Sequence, residues 1–270
     1  MLEEKFLEGK GALITGGASG FGRGMGFAYA ERGADIVLVD INEELLEETS
    51  QKIEKETGQR VIPIKCDVSK SDQVKAMAKE AFSEMDNIYI LNNNAGIGLG
   101  MKDITKIPED WFDKTLNVNL KGQWLVAKAL SRRMKKQDFS PIAGKIICTA
   151  SIAGMVVDAG LPAYSISKAG VIALMQLLAR TLAPKMTVNA ISPGYHVTGI
   201  YNNEEDTMKL TMDIGHVKTP LNRFGTVEDV VNTSLFLASP LSNFMTGHNI
   251  PCDGGIAEVG VPAYYFESDV

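Results

Sequence analysis

The chain has 270 residues, 45% of them hydrophobic and 22% charged, with a formal net charge of −6 at pH 7. This size and composition predict one large globular domain, and the negative charge without basic runs argues against binding to nucleic acid or to an anionic membrane. The charged start of the chain has no apolar signal core, no apolar stretch reaches membrane-spanning length, and the three cysteines are scattered. We therefore expect a cytoplasmic protein with reduced thiols and no metal site.

Short apolar runs alternate with amphipathic stretches along the whole chain. The runs typical of strands are GALIT, DIVLVD, RVIPIK, NIYILN, GKIICTA, MTVNAI and HNIPCD. The windows typical of helices lie at about 21–33, 42–57, 70–85, 109–136, 163–184 and 226–239. This alternation predicts an α/β fold of one domain over 1–270, a doubly wound (Rossmann) parallel sheet of seven strands with helices on both faces. Ligands should bind at the carboxyl ends of its strands.

A glycine-rich turn, TGGASGFG, follows the first predicted strand and opens the first predicted helix. Glycines let the backbone approach a pyrophosphate, and a helix N-terminus offers unpaired N–H groups. The spacing is Gly-x-x-x-Gly-x-Gly rather than the common Gly-x-Gly-x-x-Gly, and a plain turn is the alternative interpretation. The position between strand and helix favours a dinucleotide site. The residues predicted to bind the cofactor here are Gly16, Ser19, Gly20, Phe21 and Gly22.

Asp40 ends the second predicted strand, where a carboxylate can accept hydrogen bonds from the adenosine ribose hydroxyls. The same carboxylate would repel a 2′-phosphate, and Ser19 supplies no positive charge to bind one. Both residues favour NAD(H) over NADP(H). The alternative is that Asp40 only begins the turn into the next helix.

Tyr164 and Lys168 are four residues apart in AYSISK, so that on a helix the lysine ammonium lies beside the phenol. A free tyrosine has a pKa of about 10, and a positive charge at about 4 Å can lower it substantially. The pair therefore predicts a tyrosine acid or base, with Ser151 upstream as a possible assistant. Farther along, about 195–222 shows no clear periodicity, and its length predicts a substrate lid.

Together these features resemble the short-chain dehydrogenase/reductase family, from Gly9 to Gly255. The family's catalytic asparagine, serine, tyrosine and lysine correspond to Asn119 in LNVNLKG, Ser151, Tyr164 and Lys168. Its further cofactor-binding positions correspond to Asp67 and Val68 after Cys66, to Asn94, Ala95 and Gly96 after Asn93, and to Pro193, Gly194 and Thr198 in AISPGYHVTG.

The resemblance implies an NAD(H)-dependent oxidoreductase that interconverts a secondary alcohol and a ketone by hydride transfer. Tyr164 would be the general acid or base, and Lys168 would lower its pKa and bind the nicotinamide ribose. Ser151 would orient the reacting oxygen, and Asn119 would position a water behind Lys168. Without the resemblance, Ser151 could equally terminate a strand, and Asn119 could bond the backbone.

Three positions depart from the family pattern. Asn92 stands where an apolar strand residue is usual, and Tyr89 replaces a common aspartate in the same strand. His196 follows the Pro-Gly turn where valine or isoleucine is typical. A role for His196 as a proton shuttle is less favoured than a place in the pocket wall or at the surface.

The predicted substrate wall, IAGMVVDAGL at 152–161 with Tyr195 and His196, is largely apolar, and the lid carries acidic Glu204-Glu205-Asp206. Both favour a neutral or apolar alcohol or ketone. The tail at 256–270 resembles the ends of some bacterial bile-acid and other hydroxysteroid dehydrogenases, which makes a hydroxysteroid the leading substrate class. The alternatives are a polyol or sugar dehydrogenase, a 3-oxoacyl reductase, and a non-catalytic NAD(H)-binding sensor. In the family, the helices at 109–136 and 163–184 pair between subunits, so we expect a homotetramer or homodimer.

Overall fold

Seven parallel strands form one sheet in the computed structural model, which describes residues 4–99, 103–157, 160–196 and 219–260. The strands are β1 (Gly11–Thr15), β2 (Asp35–Asp40), β3 (Val61–Lys65), β4 (Ile90–Asn93), β5 (Gly144–Thr149), β6 (Met186–Pro193) and β7 (Asn249–Cys252). Their order across the sheet is β3-β2-β1-β4-β5-β6-β7, and every neighbouring pair is parallel. The predicted seven-stranded parallel sheet is confirmed.

Helices cover both faces of this sheet. They are α1 (Gly20–Glu31), α2 (Glu43–Thr57), α3 (Ser71–Glu84), α4 (Glu109–Leu116), α5 (Gln123–Met134), α6 (Pro162–Leu182), α7 (Val227–Ala238) and the short α8 (Ile256–Val259). The apolar core on one face is built with α3, α5 and α6, and the core on the other with α1, α2 and α7. Because both faces are buried, strands such as β1 carry apolar residues on consecutive positions rather than on alternate ones.

The helix predicted at 109–136 is interrupted. Between α4 and α5 the backbone forms a π-helical turn, Asn117–Gly122, so the helical path continues but its register shifts. Gly122 allows this turn to lie close to the adjacent loop, because a Cβ at that position would be 2.9 Å from Cγ2 of Val68. The shift places the Asn119 side chain in the buried interior.

Asn92, the unusual polar residue of β4, joins the sheet to two helices. Its side-chain amide nitrogen donates to the Tyr29 hydroxyl of α1 at 3.0 Å and to the Ser234 hydroxyl of α7 at 2.8 Å. The two hydroxyls also hydrogen-bond each other. Burial raises the pKa of Tyr29 to about 12, so the network stays uncharged at neutral pH. The amide nitrogen of the polar replacement is thus paired within a local hydrogen-bond network, whereas its buried amide oxygen has no hydrogen-bond partner among the described residues.

In the part of the chain that the structure describes, no helix combines the length and apolar character needed to span a membrane, and no cluster of His, Cys, Asp and Glu could hold a metal ion. Cys66, Cys148 and Cys252 are all free thiols.

The strand order reverses direction between β1 and β4. In a doubly wound sheet this switch point opens a crevice at the carboxyl ends of the strands. Asn94, just after β4, crosses this crevice and donates from its side chain to the carbonyl oxygen of Thr15 at the end of β1, at 3.0 Å. The crevice is therefore fixed by direct contacts between the two strand ends.

Candidate active site

The glycine-rich turn lies at the switch point, between β1 and α1. Gly16 and Gly20 adopt left-handed φ angles of +67° and +52°, which side chains other than glycine rarely adopt. Gly22 packs on the turn itself, because a Cβ there would be 2.0 Å from the Gly16 carbonyl oxygen. The sequence of the turn thus determines how closely α1 approaches the end of β1.

The turn fits a pyrophosphate. Ser19 is the N-cap residue of α1, but its side chain makes no capping hydrogen bond, so the first N–H groups of the helix are not capped by it. A Cβ on Gly20 would meet no atom within 4 Å, which shows open space directly at the helix N-terminus. Unpaired amides, the positive end of the helix dipole and free space together suit an anion.

Asp40 faces this turn from the end of β2. One carboxylate oxygen accepts from the backbone N–H of Ala18 at 3.1 Å, and the other accepts from that of Asn42 at 3.1 Å. Asp40 therefore also begins the turn into α2, as the alternative interpretation proposed, while Asn42 is the N-cap of that helix. Since each carboxylate oxygen can accept more than one hydrogen bond, the same orientation leaves capacity for ribose hydroxyls.

Asp67 and Val68 follow β3 at the same edge of the sheet. One oxygen of the Asp67 carboxylate accepts from the backbone and the hydroxyl of Ser69, at 2.9 and 2.7 Å, and Val68 is buried against the π-helical turn. The backbone of Asp67 is already used, because its N–H donates to the Gln73 side chain at 2.8 Å and its carbonyl accepts from the N–H of Lys70 at 3.0 Å. The second carboxylate oxygen of Asp67 and the backbone of Val68 are the groups of this pair left to contact an adenine ring.

The residues after β4 close the crevice. The Thr15 hydroxyl accepts from the backbone N–H groups of Asn94 and Ala95 at 2.9 and 3.0 Å. Gly96 comes next, and a Cβ on it would lie 3.5 Å from Nζ of Lys168. This segment therefore connects the glycine-rich turn with the predicted catalytic residues.

Ser151 and Tyr164 lie together. Ser151 follows β5, and its hydroxyl accepts from the N–H of Ala153 at 3.2 Å and hydrogen-bonds the Tyr164 phenol. Tyr164 is in the first turn of α6, which begins at Pro162, a residue favoured at that position. Gly154 lets α6 approach, because a Cβ there would be 2.6 Å from the Ala169 nitrogen.

Lys168 lies on the same face of α6 as Tyr164, with Nζ 5.5 Å from the centre of the phenol ring. It is buried, and Nζ donates to the carbonyl oxygen of Thr149 at 2.8 Å. Burial lowers the pKa of Lys168 to about 8. Burial raises the pKa of Tyr164, and the Ser151 hydrogen bond partly offsets this. The expected lowering of the phenol pKa by Lys168 is therefore not found in this structure.

Asn119 contacts the backbone rather than the phenol or the ammonium. Its side-chain oxygen accepts from the N–H of Ile97 at 2.8 Å, and its nitrogen donates to the Ile97 carbonyl at 3.0 Å and to the Ser167 hydroxyl at 3.1 Å. Through Ile97 it fixes the segment that starts at Gly96. The predicted role of Asn119 in positioning a water stays a prediction.

β6 ends at Pro193 beside this cluster, and Gly194 follows it. Gly194 donates from its N–H to the carbonyl of Cys252 at 3.0 Å, and a Cβ on Gly194 would lie 2.7 Å from Cα of Asp253. Thr198, the remaining predicted cofactor residue, and most of the predicted lid and tail lie outside the described residues. The structure thus brings the other predicted site residues to one edge of the sheet.

Two contributing residues, Thr149 and Ser167, were not predicted from the sequence. Thr149 holds Lys168 through a backbone carbonyl, and any residue type could supply that group. Its hydroxyl donates to the Asn94 side chain at 3.1 Å. Ser167 accepts from Asn119 and donates to the Tyr164 carbonyl at 2.7 Å. A hydroxyl residue just before the lysine was the only clue to Ser167.

An apolar wall follows Ser151. Met155, Val156 and Val157 are 38%, 52% and 78% exposed, so three apolar side chains in a row face solvent next to the Ser151–Tyr164 pair in sequence. Asn249 of β7 donates from its side chain to the Met155 sulfur at 3.1 Å, which anchors the wall to the end of the sheet. This surface suits an apolar part of a substrate.

Known proteins share this arrangement over most of their length. A family model described as enoyl-(acyl carrier protein) reductase matches residues 16–257. The chain is 36% identical over 251 residues to the 3-oxoacyl-[acyl-carrier-protein] reductase FabG of Thermotoga maritima, covering 93% of this chain and 98% of that protein. It is 34% identical over 253 residues to the NAD-dependent glycerol dehydrogenase of Listeria innocua, covering 91% and 93%.

Solved structures agree with these relatives. A short-chain type dehydrogenase/reductase from Mycobacterium marinum superposes with a TM-score of 0.85 at 34% identity, covering 93% of this chain and 97% of that chain. An NAD⁺-bound xylitol dehydrogenase superposes with a TM-score of 0.84 at 31% identity, covering 92% and 99%.

Proposed function

Because the chain belongs to the short-chain dehydrogenase/reductase family, we propose that it is an NAD(H)-dependent oxidoreductase that interconverts a secondary alcohol and a ketone. The observation that carries this proposal is the cluster of Ser151, Tyr164 and Lys168 at the sheet edge that also holds the glycine-rich turn. A protein that only binds NAD(H) needs no proton donor beside its dinucleotide site. The intact proton donor therefore disfavours the sensor alternative.

Each residue of this cluster has a separate role in ketone reduction. A bound nicotinamide cofactor supplies the hydride. Tyr164 donates the proton to the carbonyl oxygen, and its raised pKa keeps the phenol protonated at neutral pH for that step. Ser151 hydrogen-bonds the phenol and lies where it can orient the same oxygen. Lys168, protonated below its pKa of about 8, would bind the nicotinamide ribose, as the family resemblance implies, because no lowering of the phenol pKa by its charge is found here.

The preference for NAD(H) rests on Asp40. Its carboxylate is held toward the turn by Ala18, and a 2′-phosphate on the ribose would place two negative groups together. The names of two relatives, an NAD-dependent glycerol dehydrogenase and an NAD⁺-bound xylitol dehydrogenase, support the same choice.

Asp40→Ala is expected to weaken NADH binding by about 10- to 100-fold, since hydrogen bonds to a charged group contribute about 1.5–3 kcal/mol. NADPH binding should weaken less or improve, because the repulsion is removed. Fluorescence titration with both cofactors measures this. Asp35→Ala, at the other end of the same strand, should change neither affinity. A wild-type protein that prefers NADPH would contradict the assignment.

For the substrate we propose a neutral alcohol or ketone with an apolar part, on the basis of the wall at Met155, Val156 and Val157. The relatives described above are named for 3-oxoacyl-carrier-protein, glycerol and xylitol chemistry, and they lend no support to the hydroxysteroid prediction. A panel of polyols, acetoacetyl esters and hydroxysteroids, read by NADH absorbance, separates these classes. Tight NADH binding without turnover on the whole panel would favour the sensor.

We also propose a homotetramer or homodimer assembled through α5 and α6. Trp124, Ile166 and Leu177 are 42%, 46% and 65% exposed. A cleft of about 320 Å³ lies beside them, formed mainly by the end of α4 and the π-helical turn, and it is lined by Leu116, Asn117, Leu120, Lys121, Trp124 and Leu174. Apolar side chains exposed on adjacent helices are typical of a covered surface.

Leu177→Glu is expected to convert the multimer to a smaller species, because a charge on this surface would have to be desolvated at the interface. Light scattering after gel filtration measures the mass. Glu228→Lys, a charge change on α7, should leave the mass unchanged. A monomeric wild-type protein would contradict the proposal.

A further inference from the structure

His196 replaces the usual apolar residue after the Pro-Gly turn, and its ring is buried, with 3% of the residue exposed. The ring Nδ1 lies 3.1 Å from the carbonyl oxygen of Gly194. Since a carbonyl can only accept, Nδ1 carries the proton and donates it. His196 therefore holds the Pro193-Gly194 turn, which the family resemblance assigns to the cofactor.

The ring also joins this turn to two other parts of the site. Its edge packs on the Phe21 ring of the glycine-rich turn, with centroids 5.4 Å apart and planes at 84°. On the other side it contacts Gly225, where a Cβ would be 2.1 Å from Nε2. The backbones of His196 and Gly225 form an isolated bridge, and Gly225 donates to the Tyr195 carbonyl at 2.9 Å. A side chain at position 225 would occupy the space of the imidazole.

The second ring nitrogen, Nε2, is buried and has no hydrogen-bond partner among the described residues. In the neutral ring, Nε2 is then an acceptor without a donor, which costs little free energy. In the imidazolium it would place an N–H against Gly225 with no acceptor in the described part of the chain, which is far less favourable. The packed position thus admits the neutral ring with its proton on Nδ1.

The charged groups around the ring do not reverse this preference. Asp229 of α7 and Asp253 after β7 favour the imidazolium, as does the Gly194 carbonyl, whereas Arg223 disfavours it. Burial outweighs them, and the pKa of His196 is lowered from its ordinary value. A group whose folded pKa lies below its unfolded pKa stabilises the fold above the ordinary value of about 6.5, and that stabilisation is lost as the pH falls.

We propose that His196 is a positioning residue for the cofactor: its neutral ring fixes the Pro193-Gly194 turn against Phe21 and Gly225, and protonation of the ring releases this turn and weakens cofactor binding. The inference rests on the proposed function, because it takes this turn to contact the cofactor. It goes beyond that function by making the affinity for NADH sensitive to pH in a way that the usual valine or isoleucine would not.

The test compares NADH dissociation constants at about pH 7.5 and about pH 5.5. If the ring protonates only after the turn is released, it does so with an ordinary pKa of about 6.5. The NADH dissociation constant of the wild type should then rise severalfold from pH 7.5 to pH 5.5, and by about tenfold at most. His196→Asn keeps an amide N–H for the Gly194 carbonyl and cannot titrate, so its constant should match the wild type at pH 7.5 within about twofold and stay flat. His196→Val lacks the donor, and its constant should be about two- to tenfold higher at both pH values.

His248→Asn, a control at the histidine preceding β7, should keep the wild-type rise. The proposal is overturned if His196→Asn shows the same rise as the wild type, if the wild type shows none, or if His196→Val binds NADH as tightly as the wild type at pH 7.5.

Imidazole NMR of the cofactor-free wild type gives an independent reading that also stands if a variant fails to fold. An Nδ1–H tautomer that titrates below its ordinary pKa supports the proposal, and an Nε2–H tautomer or an ordinary pKa overturns it. Because this reading needs no NADH, it separates failure of the inference from failure of the proposed function.

Discussion

Tyr164→Phe is expected to lower kcat by about 10²- to 10⁴-fold while NADH affinity stays within about twofold of the wild type. Phenylalanine keeps the ring packed in the first turn of α6, but it has no proton to donate and no hydroxyl for Ser151 to contact. Stopped-flow turnover with the best substrate of the panel and fluorescence titration with NADH measure the two quantities separately.

The matched control is Tyr89→Phe. Tyr89 is buried, but it packs on Phe139 just before β4, away from the carboxyl edge of the sheet. Its loss of a hydroxyl should leave kcat unchanged. If Tyr164→Phe retained kcat within tenfold of the wild type, Tyr164 would not be the proton donor, and the assignment of the whole cluster would fail with it.

Gly22→Ala is expected to raise the NADH dissociation constant by about 5- to 150-fold. The new methyl group would lie 2.0 Å from the Gly16 carbonyl oxygen, so either the turn or α1 must move. Overpacking of this kind costs about 1–3 kcal/mol, and each 1.4 kcal/mol changes an affinity tenfold when the cost falls on the bound form. Fluorescence titration gives the affinity, and urea unfolding of the cofactor-free protein shows how much of the cost falls on stability.

Gly58→Ala provides the comparison. Gly58 ends α2 with a φ of +73°, and a Cβ there would meet no atom within 4 Å. Alanine at this position should lower stability by about 1 kcal/mol through backbone strain alone and leave NADH affinity unchanged. Equal NADH affinity in Gly22→Ala and the wild type would show that the turn tolerates the methyl group, and the cofactor site would have to be placed elsewhere.

The sequence was informative wherever structure follows from periodicity or composition. Strands buried on both faces are continuous apolar runs, so β1 and β2 could be predicted to the residue, and the helices differ from their predicted windows mainly at their ends. β4 begins at Ile90 rather than Asn87, because Asn87 uses its side chain to bond the backbone of Gly11 and Gly9 instead of joining the ladder. The π-helical turn is only six residues long, Asn117–Gly122, and a stretch this short carries too few positions for periodicity to reveal it.

The sequence predicted which residues form the site, but it did not predict their pKa values. Motif spacing identified Tyr164 and Lys168, yet the pKa of each depends on burial and on the Thr149 carbonyl, which depend on tertiary packing. For His196 the sequence favoured a place in the pocket wall or at the surface, whereas the structure buries the ring between Phe21 and Gly225. A glycine 29 positions later in the chain makes that space, and a single sequence gives no sign of such pairing.

The contact between the ends of β1 and β4 also has a consequence for folding during synthesis. The Thr15 hydroxyl meets the Asn94 backbone across 79 positions of sequence, and β1 enters the sheet with β4 on one side only after three crossovers have formed. Such distant pairings form late in folding, because long loops must close first. β5, β6 and β7 then add the serine, the Pro-Gly turn and the Gly194 contact from segments still farther along. A ribosome-bound chain should therefore acquire NADH binding only when β7 has emerged, which makes cofactor retention a reporter of how far synthesis has advanced.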